Sequence, residues 1–294
     1  MTNLMSGSVA YEGVSFQFGE GTPYAITGFK RGTAAFRADD RDRVRGDGRL
    51  FGRDVKSGPS HELSLLVEGE GGSRSDREAS VRSRAADLAR VWSADSLRSR
   101  AGHLASLRVG DRACFGRPRA YVPDDSGLWD GVDHPVLTFV AVDDLWYGPE
   151  EVTTIRFVPV FTGGLPVPAA VPWVLGGGSG ESSYMVTVGG DVAAWPVFEL
   201  HGPILDPFIE VVGVGRLVFR GELAYDQTLT VDTRHWARWV KRNGAAFPGA
   251  LSPAGSRLSD MSMRPGAYQV FFGGHDPTGT SSLDVRVSPA FTSF

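Results

Sequence analysis

The sequence predicts a mainly β protein of two domains. Three observations carry that expectation. Apolar residues alternate with polar ones in many short runs bounded by glycine and proline, the period of half-buried strands. A single stretch has helical spacing instead. The length, 294 residues, is enough for two domains at about 150 residues each. Hydrophobic residues make up 41% and charged residues 22%, so each half can bury a core of its own.

In the first domain, Val14, Phe16 and Phe18 alternate with Ser15 and Gln17, giving a strand that ends at the turn residues Gly19-Glu20-Gly21. A second strand is expected at 24–29. Residues 41–48 are polar and punctuated by glycine, the pattern of an exposed loop. Leu63, Leu65 and Val67 mark a strand at 62–68. The period then changes. Val81, Ala85, Leu88 and Trp92 are spaced four, three and four apart, one face of a helix over 73–92. Ser75 with Glu78 offers a capping box at its start. Strands follow at 104–109, 117–122 and 136–142. The last is almost continuously apolar, which predicts burial on both faces. Residues 143–149 close a first domain that ends near residue 155.

Residues 156–180 read as a connector rich in proline and glycine, stiff at one end and loose at the other. Beyond it, 181–294 read as β throughout, with strands at 197–200, 208–212, 216–220, 223–231, 235–241, 268–272 and 283–287. Asn243-Gly244 is a strong hairpin signal. Short strands at this spacing argue for a β-sandwich. No fixed-period repeat supports a solenoid or propeller.

The net charge of −4 gives no global attraction to nucleic acid. The charge is segregated, however. Residues 30–120 hold 20 of the 30 Lys and Arg but 13 of the 34 Asp and Glu. That asymmetry suits head-to-tail contact between copies or an acidic partner, and equally a solvated mixed-charge surface. Cys114 is the only cysteine, so no disulfide or cysteine-based metal site forms within one chain. The polar stretch 1–10 has neither the charged start nor the apolar run of a signal peptide. The most apolar stretch, 157–175, is broken by prolines and glycines and falls short of the roughly 20 unbroken apolar residues of a membrane helix.

The search for chemistry finds no catalytic motif. Glu181 stands where a nucleophile elbow over 176–180 would need its last glycine. His61-Glu62 lacks the second histidine of a zincin, and the six histidines are scattered. Asp39, Asp40 and Asp42 lack the rest of a calcium loop. No cofactor is implied. Trp236 and Trp239, beside His235 and Arg238, are the candidate ligand or interface aromatics; core packing is the alternative. A glycosidase carboxylate pair stays open as a hydrolase reading, because space and not sequence distance sets such pairs.

The order of the turn residues resembles that of the distal tail proteins (Dit-like) of phages with long, non-contractile tails. In the first domain the resemblance rests on Gly13, Phe18-Gly19 and Tyr24-Ala25-Ile26. It continues through Gly46-Asp47-Gly48, Gly52-Arg53-Asp54 and Gly58 before Glu62-Leu63-Ser64-Leu65, then the lone helix. Gly116-Arg117-Pro118-Arg119 and Phe139 to Asp144 before Tyr147 complete it. In the second domain it rests on Gly202 to Pro207, Leu229 to Thr233, Asn243-Gly244, and Arg264-Pro265-Gly266 before Tyr268-Gln269-Val270. Asp144 departs from a common proline and Ala267 from a common asparagine.

The resemblance implies a non-enzymatic structural protein of the virion tail tip, made and assembled in the host cytoplasm. It implies a ring, usually of six copies, formed by the first domain around a channel through which DNA passes unread. A galectin-like second domain would project outward. The implied partners are further copies of the chain, the tail tube protein, the tape measure protein, and tail hub and fibre proteins. A carbohydrate- or receptor-binding module of the virion is the alternative function.

Overall fold

The computed structural model describes residues 6–160 and 179–294. Residues 161–178, most of the expected connector, lie outside it, as do Gly176 to Gly178 of the rejected elbow. Strands account for 48% and helices for 13% of the described residues, so the fold is mainly β. The chain divides into two compact units, 1–147 together with 292–294, and 148–291.

The first unit begins with β1 (Gly7–Tyr11), β2 (Val14–Phe18) and β3 (Tyr24–Lys30). Four two-residue strands follow: β4 (Phe36–Arg37), β5 (Arg41–Asp42), β6 (Arg49–Leu50) and β7 (Val55–Lys56). Next come β8 (Ser60–Glu68), α1 (Arg74–Ser93), the short α2 (Asp95–Arg98), β9 (Ala105–Val109) and β10 (Arg112–Val122). A 3-10 turn at Asp125–Asp130 leads to β11 (Val132–Asp133), β12 (Val136–Ala141) and β13 (Trp146–Tyr147). The main sheet runs β8-β12-β10-β9-β1-β2, with β3 on the other edge of β8. Neighbouring strands pair antiparallel. A short turn joins β2 to β3, and the rings of Phe16 and Tyr24 lie 4.7 Å apart. The two ends of the sheet therefore meet and the sheet curls.

Helix α1 covers the open face of that curl. Val81, Leu88 and Trp92 point inward as their spacing requires, and Trp92 meets Phe139 of β12 at 6.4 Å. The hydroxyls of Tyr11, Tyr24 and Tyr121 donate to helix carbonyls at Val91, Arg84 and Ala85. The capping box is present but two residues earlier than expected. Ser73 is the N-cap and Asp76 its partner, because an aspartate side chain reaches back to the cap N–H as a glutamate would. β12 also departs from expectation. Leu137, Phe139 and Ala141 are buried while Val136, Thr138 and Val140 are half-buried; the helix stands over one face of the strand only.

The second unit begins with β14 (Glu151–Arg156), which pairs with β24 and not with the first unit's sheet. The division thus falls at Tyr147/Gly148, before the residue-155 boundary read from the connector. The further strands are β15 (Ser179–Val188), β16 (Val197–His201), β17 (Ile204–Val211), β18 (Gly215–Val218), β19 (Glu222–Leu223), β20 (Thr228–Asp232), β21 (Trp239–Arg242), β22 (Ala245–Ala246), β23 (Gly266–His275), β24 (Ser282–Val287) and β25 (Ala290–Phe291). One sheet runs β14-β24-β16-β20-β21-β22; the other runs β15-β23-β17-β18, with β19 beside β17. Phe198, Leu200, Leu229, Val231, Leu283 and Val285 from the first sheet are buried, as are Val186, Ile209, Leu217, Val270 and Phe272 from the second. Alternating burial on both sheets is the pattern of a sandwich core.

The expected hairpin at Asn243-Gly244 joins β21 to β22. Both residues have positive φ, 48° and 79°, as a type I′ turn demands. Two expected strands are shorter than read. The stretch 223–231 is interrupted by a turn, and 235–238 is a turn before β21. The last three residues belong to the first unit, where Phe294 packs against Trp146 at 4.9 Å and Phe29 at 5.9 Å.

Candidate assembly surfaces

The most conspicuous surface is an arm. Residues 36–56 form a hairpin by pairing β4 with β7 and β5 with β6. Every residue from 36 to 56 except Asp40 is exposed. The expected loop at 41–48 is thus the tip of a longer projection. Asp40 braces the two legs by accepting from the Gly52 N–H at 3.0 Å, and the Arg43 N–H donates to the Gly48 carbonyl at 3.1 Å to close the tip. At the foot, the Ser57 N–H donates to the Ala35 carbonyl at 2.9 Å, and the Lys56 ammonium reaches the Asp144 carboxylate at 2.6 Å. Gly32 is required there: a Cβ would stand 2.1 Å from the Ser60 carbonyl oxygen.

This polar arm carries five large apolar side chains in solvent: Phe36, Val44, Leu50, Phe51 and Val55, with Val44 98% and Phe51 84% exposed. Isolated exposed apolar residues are ordinary, but a run of them on one projection marks an interaction surface. The sequence signal was present as apolar residues set among arginine, aspartate and glycine; the alternation was too short to read.

A further exposed aromatic, Trp129, sits on the 3-10 turn beside α1 and is 64% exposed. With Arg82, Tyr121, Pro123, Asp125 and Leu128 it lines an open groove of about 510 Å³. Another cavity, about 480 Å³, lies at the foot of the arm, where Arg31, Phe36, Lys56, His61, Asp144 and Trp146 meet. His61 is buried, and burial first and then the nearby Arg31 cation push its pKa down to about 4. It is therefore a neutral imidazole whose Nδ1 accepts from the Gly32 N–H at 3.1 Å.

Trp236 and Trp239 lie in the second unit, both half-exposed. Trp236 is on the turn, edge-on to His235 at 4.5 Å, with the Arg234 guanidinium 5.5 Å from its ring. Arg234 is held by Asp232, whose two oxygens accept from its Nε at 3.0 and 3.1 Å. Trp239 is on β21, with the Lys241 ammonium 4.0 Å from its ring. Arg238 between them has φ of 46°, which breaks the strand expected through 235–241. No group of three or more His, Cys, Asp or Glu side chains among the described residues is placed to hold a metal ion. No helix among them is long and apolar enough to cross a membrane.

No protein-family model and no curated protein matches the sequence. Solved structures do match. The crystal structure of the Dit protein of phage SPP1, presented as a paradigm of the hub adsorption apparatus in phages infecting Gram-positive bacteria, aligns with 97% of this chain and 99% of its own, at a TM-score of 0.55 and 15% identity. The chain has the fold of a phage Dit protein. A chain of the phage P2 baseplate in its activated conformation with calcium aligns over 96% of this chain and 98% of its own, at a TM-score of 0.56 and 10% identity. The same baseplate with strontium gives the same figures. The Dit fold is matched along nearly the whole of each chain, so both units belong to the likeness.

Proposed function

We infer that this chain is a ring-forming structural protein of a phage tail tip, joining the tail tube to the hub and fibre proteins. The observation that carries the reading is the near-complete match of both units to a protein of a phage hub adsorption apparatus. The first unit supplies the ring contacts and the galectin-like second unit meets other tail proteins. The ring has six copies and a central channel through which DNA passes. Its other neighbours are the tape measure and tail tube proteins, and it acts in the virion after assembly in the host cytoplasm.

The exposed arm supports this reading. A closed ring needs a heterologous interface, one patch meeting a different patch, and a projection whose apolar side chains stand exposed among the described residues is suited to be half of such an interface. The role is structural rather than catalytic.

A carbohydrate- or receptor-binding role is the second reading. The partial exposure of Trp236 and Trp239 favours a surface use over core packing. Arg234 and Lys241 over their rings, however, occupy positions a sugar would need for stacking. Mass measurement in solution tests the two. Six copies of a 31.6 kDa chain give about 190 kDa for the closed ring. A strict monomer at every concentration that binds glycans tightly would sink the structural reading.

A further inference from the structure

We propose that the cavity beside Arg31 and His61 binds a small organic carboxylate, held between the Arg31 guanidinium and the Nε2–H of His61. This site does not depend on the ring reading.

His61 supplies the first half of the site. The residue is 2% exposed, and its Nδ1 is taken by the Gly32 N–H at 3.1 Å. A neutral imidazole that accepts at Nδ1 carries its proton on Nε2. Among the described residues that N–H has no acceptor, and His61 lines a cavity of about 480 Å³. A buried donor is costly to leave unmatched. The ring is also held in place, because Phe29 and Trp146 flank it at 5.9 and 5.1 Å. Its remaining donor is therefore fixed before any ligand arrives, which lowers the ordering cost of binding.

Arg31 supplies the charge. It lines the same cavity and lies close enough to His61 for its cation to lower the imidazole's pKa. Among the described residues no carboxylate pairs with it; its guanidinium stands 6.0 Å from the Phe294 ring. The other charged groups on the cavity wall are Lys56 and Asp144, and they pair with each other at 2.6 Å. The wall thus keeps the Arg31 charge uncompensated. Residues 1–5 and 161–178, outside the described set, contain no Asp or Glu, so they bring no side-chain carboxylate to it. An anion from another molecule would satisfy both groups at once.

The wall also sets the class of anion. A planar carboxylate accepts from a guanidinium and a second N–H together. A phosphate dianion would meet the Asp144 carboxylate with twice the charge. Trp146 and Phe36 add apolar surface to the wall, so the fitting ligand carries its carboxylate on an aromatic or aliphatic body. The volume lies within the range of small-molecule sites.

Benzoate is the probe, with benzamide as its neutral counterpart and inorganic phosphate as the competing anion. The full chain, labelled at histidine Cε1, is titrated with each and followed by nuclear magnetic resonance, with calorimetry for the affinity. Benzoate is expected to shift the His61 resonance saturably, and benzamide to leave it in place. Arg31→Gln, at an exposed position, should weaken benzoate at least about tenfold, the loss of one charged hydrogen-bonding partner, with an unchanged thermal midpoint. Lys30→Gln removes a neighbouring cation that pairs with Glu62 and should bind as the parent does. Equal responses to benzoate and benzamide, or tighter binding of phosphate, would overturn the carboxylate assignment. A silent His61, or full affinity in Arg31→Gln, would overturn the site.

Discussion

The backbone N–H of Gly32 donates to Nδ1 of His61 at 3.1 Å, so the foot of the arm is hydrogen-bonded to a buried neutral imidazole. Phe29 and Trp146 stack around that ring at 5.9 and 5.1 Å. A protonated His61 would lose the bond and place a charge in an apolar site beside Arg31.

The pH dependence follows. His61 has a folded pKa of about 4 against an ordinary value near 6.5. Its contribution is complete above pH 6.5 and is lost as the pH falls toward 4, up to about 3 kcal/mol. Asp143 acts in the opposite sense, because burial raises its carboxyl to about 6; its contribution is full below its ordinary pKa and is lost as the pH rises through 6. A variant separates the two. His61→Asn keeps an acceptor near the position of Nδ1, and urea unfolding of this variant between pH 4 and 7 should lose less stability toward acid than the parent. An identical pH slope in both would refute the role given to His61.

Trp92 anchors α1, the only long helix among the described residues. It is 1% exposed and its Nε1 donates to the Thr138 carbonyl at 3.3 Å. Trp92→Ala should destabilise the first unit by about 3–5 kcal/mol, read as an earlier denaturation midpoint by circular dichroism. A loss below about 1 kcal/mol would show that the helix is held elsewhere.

Replacing residues 36–55 with a short Gly-Ser link should leave the first unit folded, because the excised residues contribute nothing to its core. The thermal midpoint should move by no more than a few degrees, while sedimentation should show monomers under conditions where the parent associates. Full association of the armless chain would show that copies associate through other surfaces.

Trp236→Ala and Trp239→Ala each remove a partly exposed cation–aromatic contact, worth about 0.5–1 kcal/mol. Both should fold, and both should assemble as the parent does. A glycan array that responds to the parent and not to these variants would instead support the carbohydrate reading.

Much of the fold was legible in the residues. The 14–18 strand, the helical stripe Val81, Leu88 and Trp92, and the Asn243-Gly244 hairpin depend on local periodicity and on positive φ, and local chemistry suffices for both. The capping box was placed two residues late because Ser73 and Ser75 each begin a plausible box, and only backbone geometry separates them. The candidate assembly site was less legible. The arm looked like a loop because its strands are two residues long, and the aspartates around Trp129 looked like ordinary turn chemistry.

The sequence by itself determined a mainly β protein in two units with one amphipathic helix, because strand and helix periods are properties of neighbouring residues. Tertiary structure decided what no period encodes. It assigned β14 to the second unit, returned Phe294 to the first, buried His61 and left Phe36, Val44, Leu50, Phe51 and Val55 in water. Exposure and pairing depend on residues distant in the chain meeting or failing to meet, and for an arm whose apolar side chains no other described residue covers that failure is the informative fact.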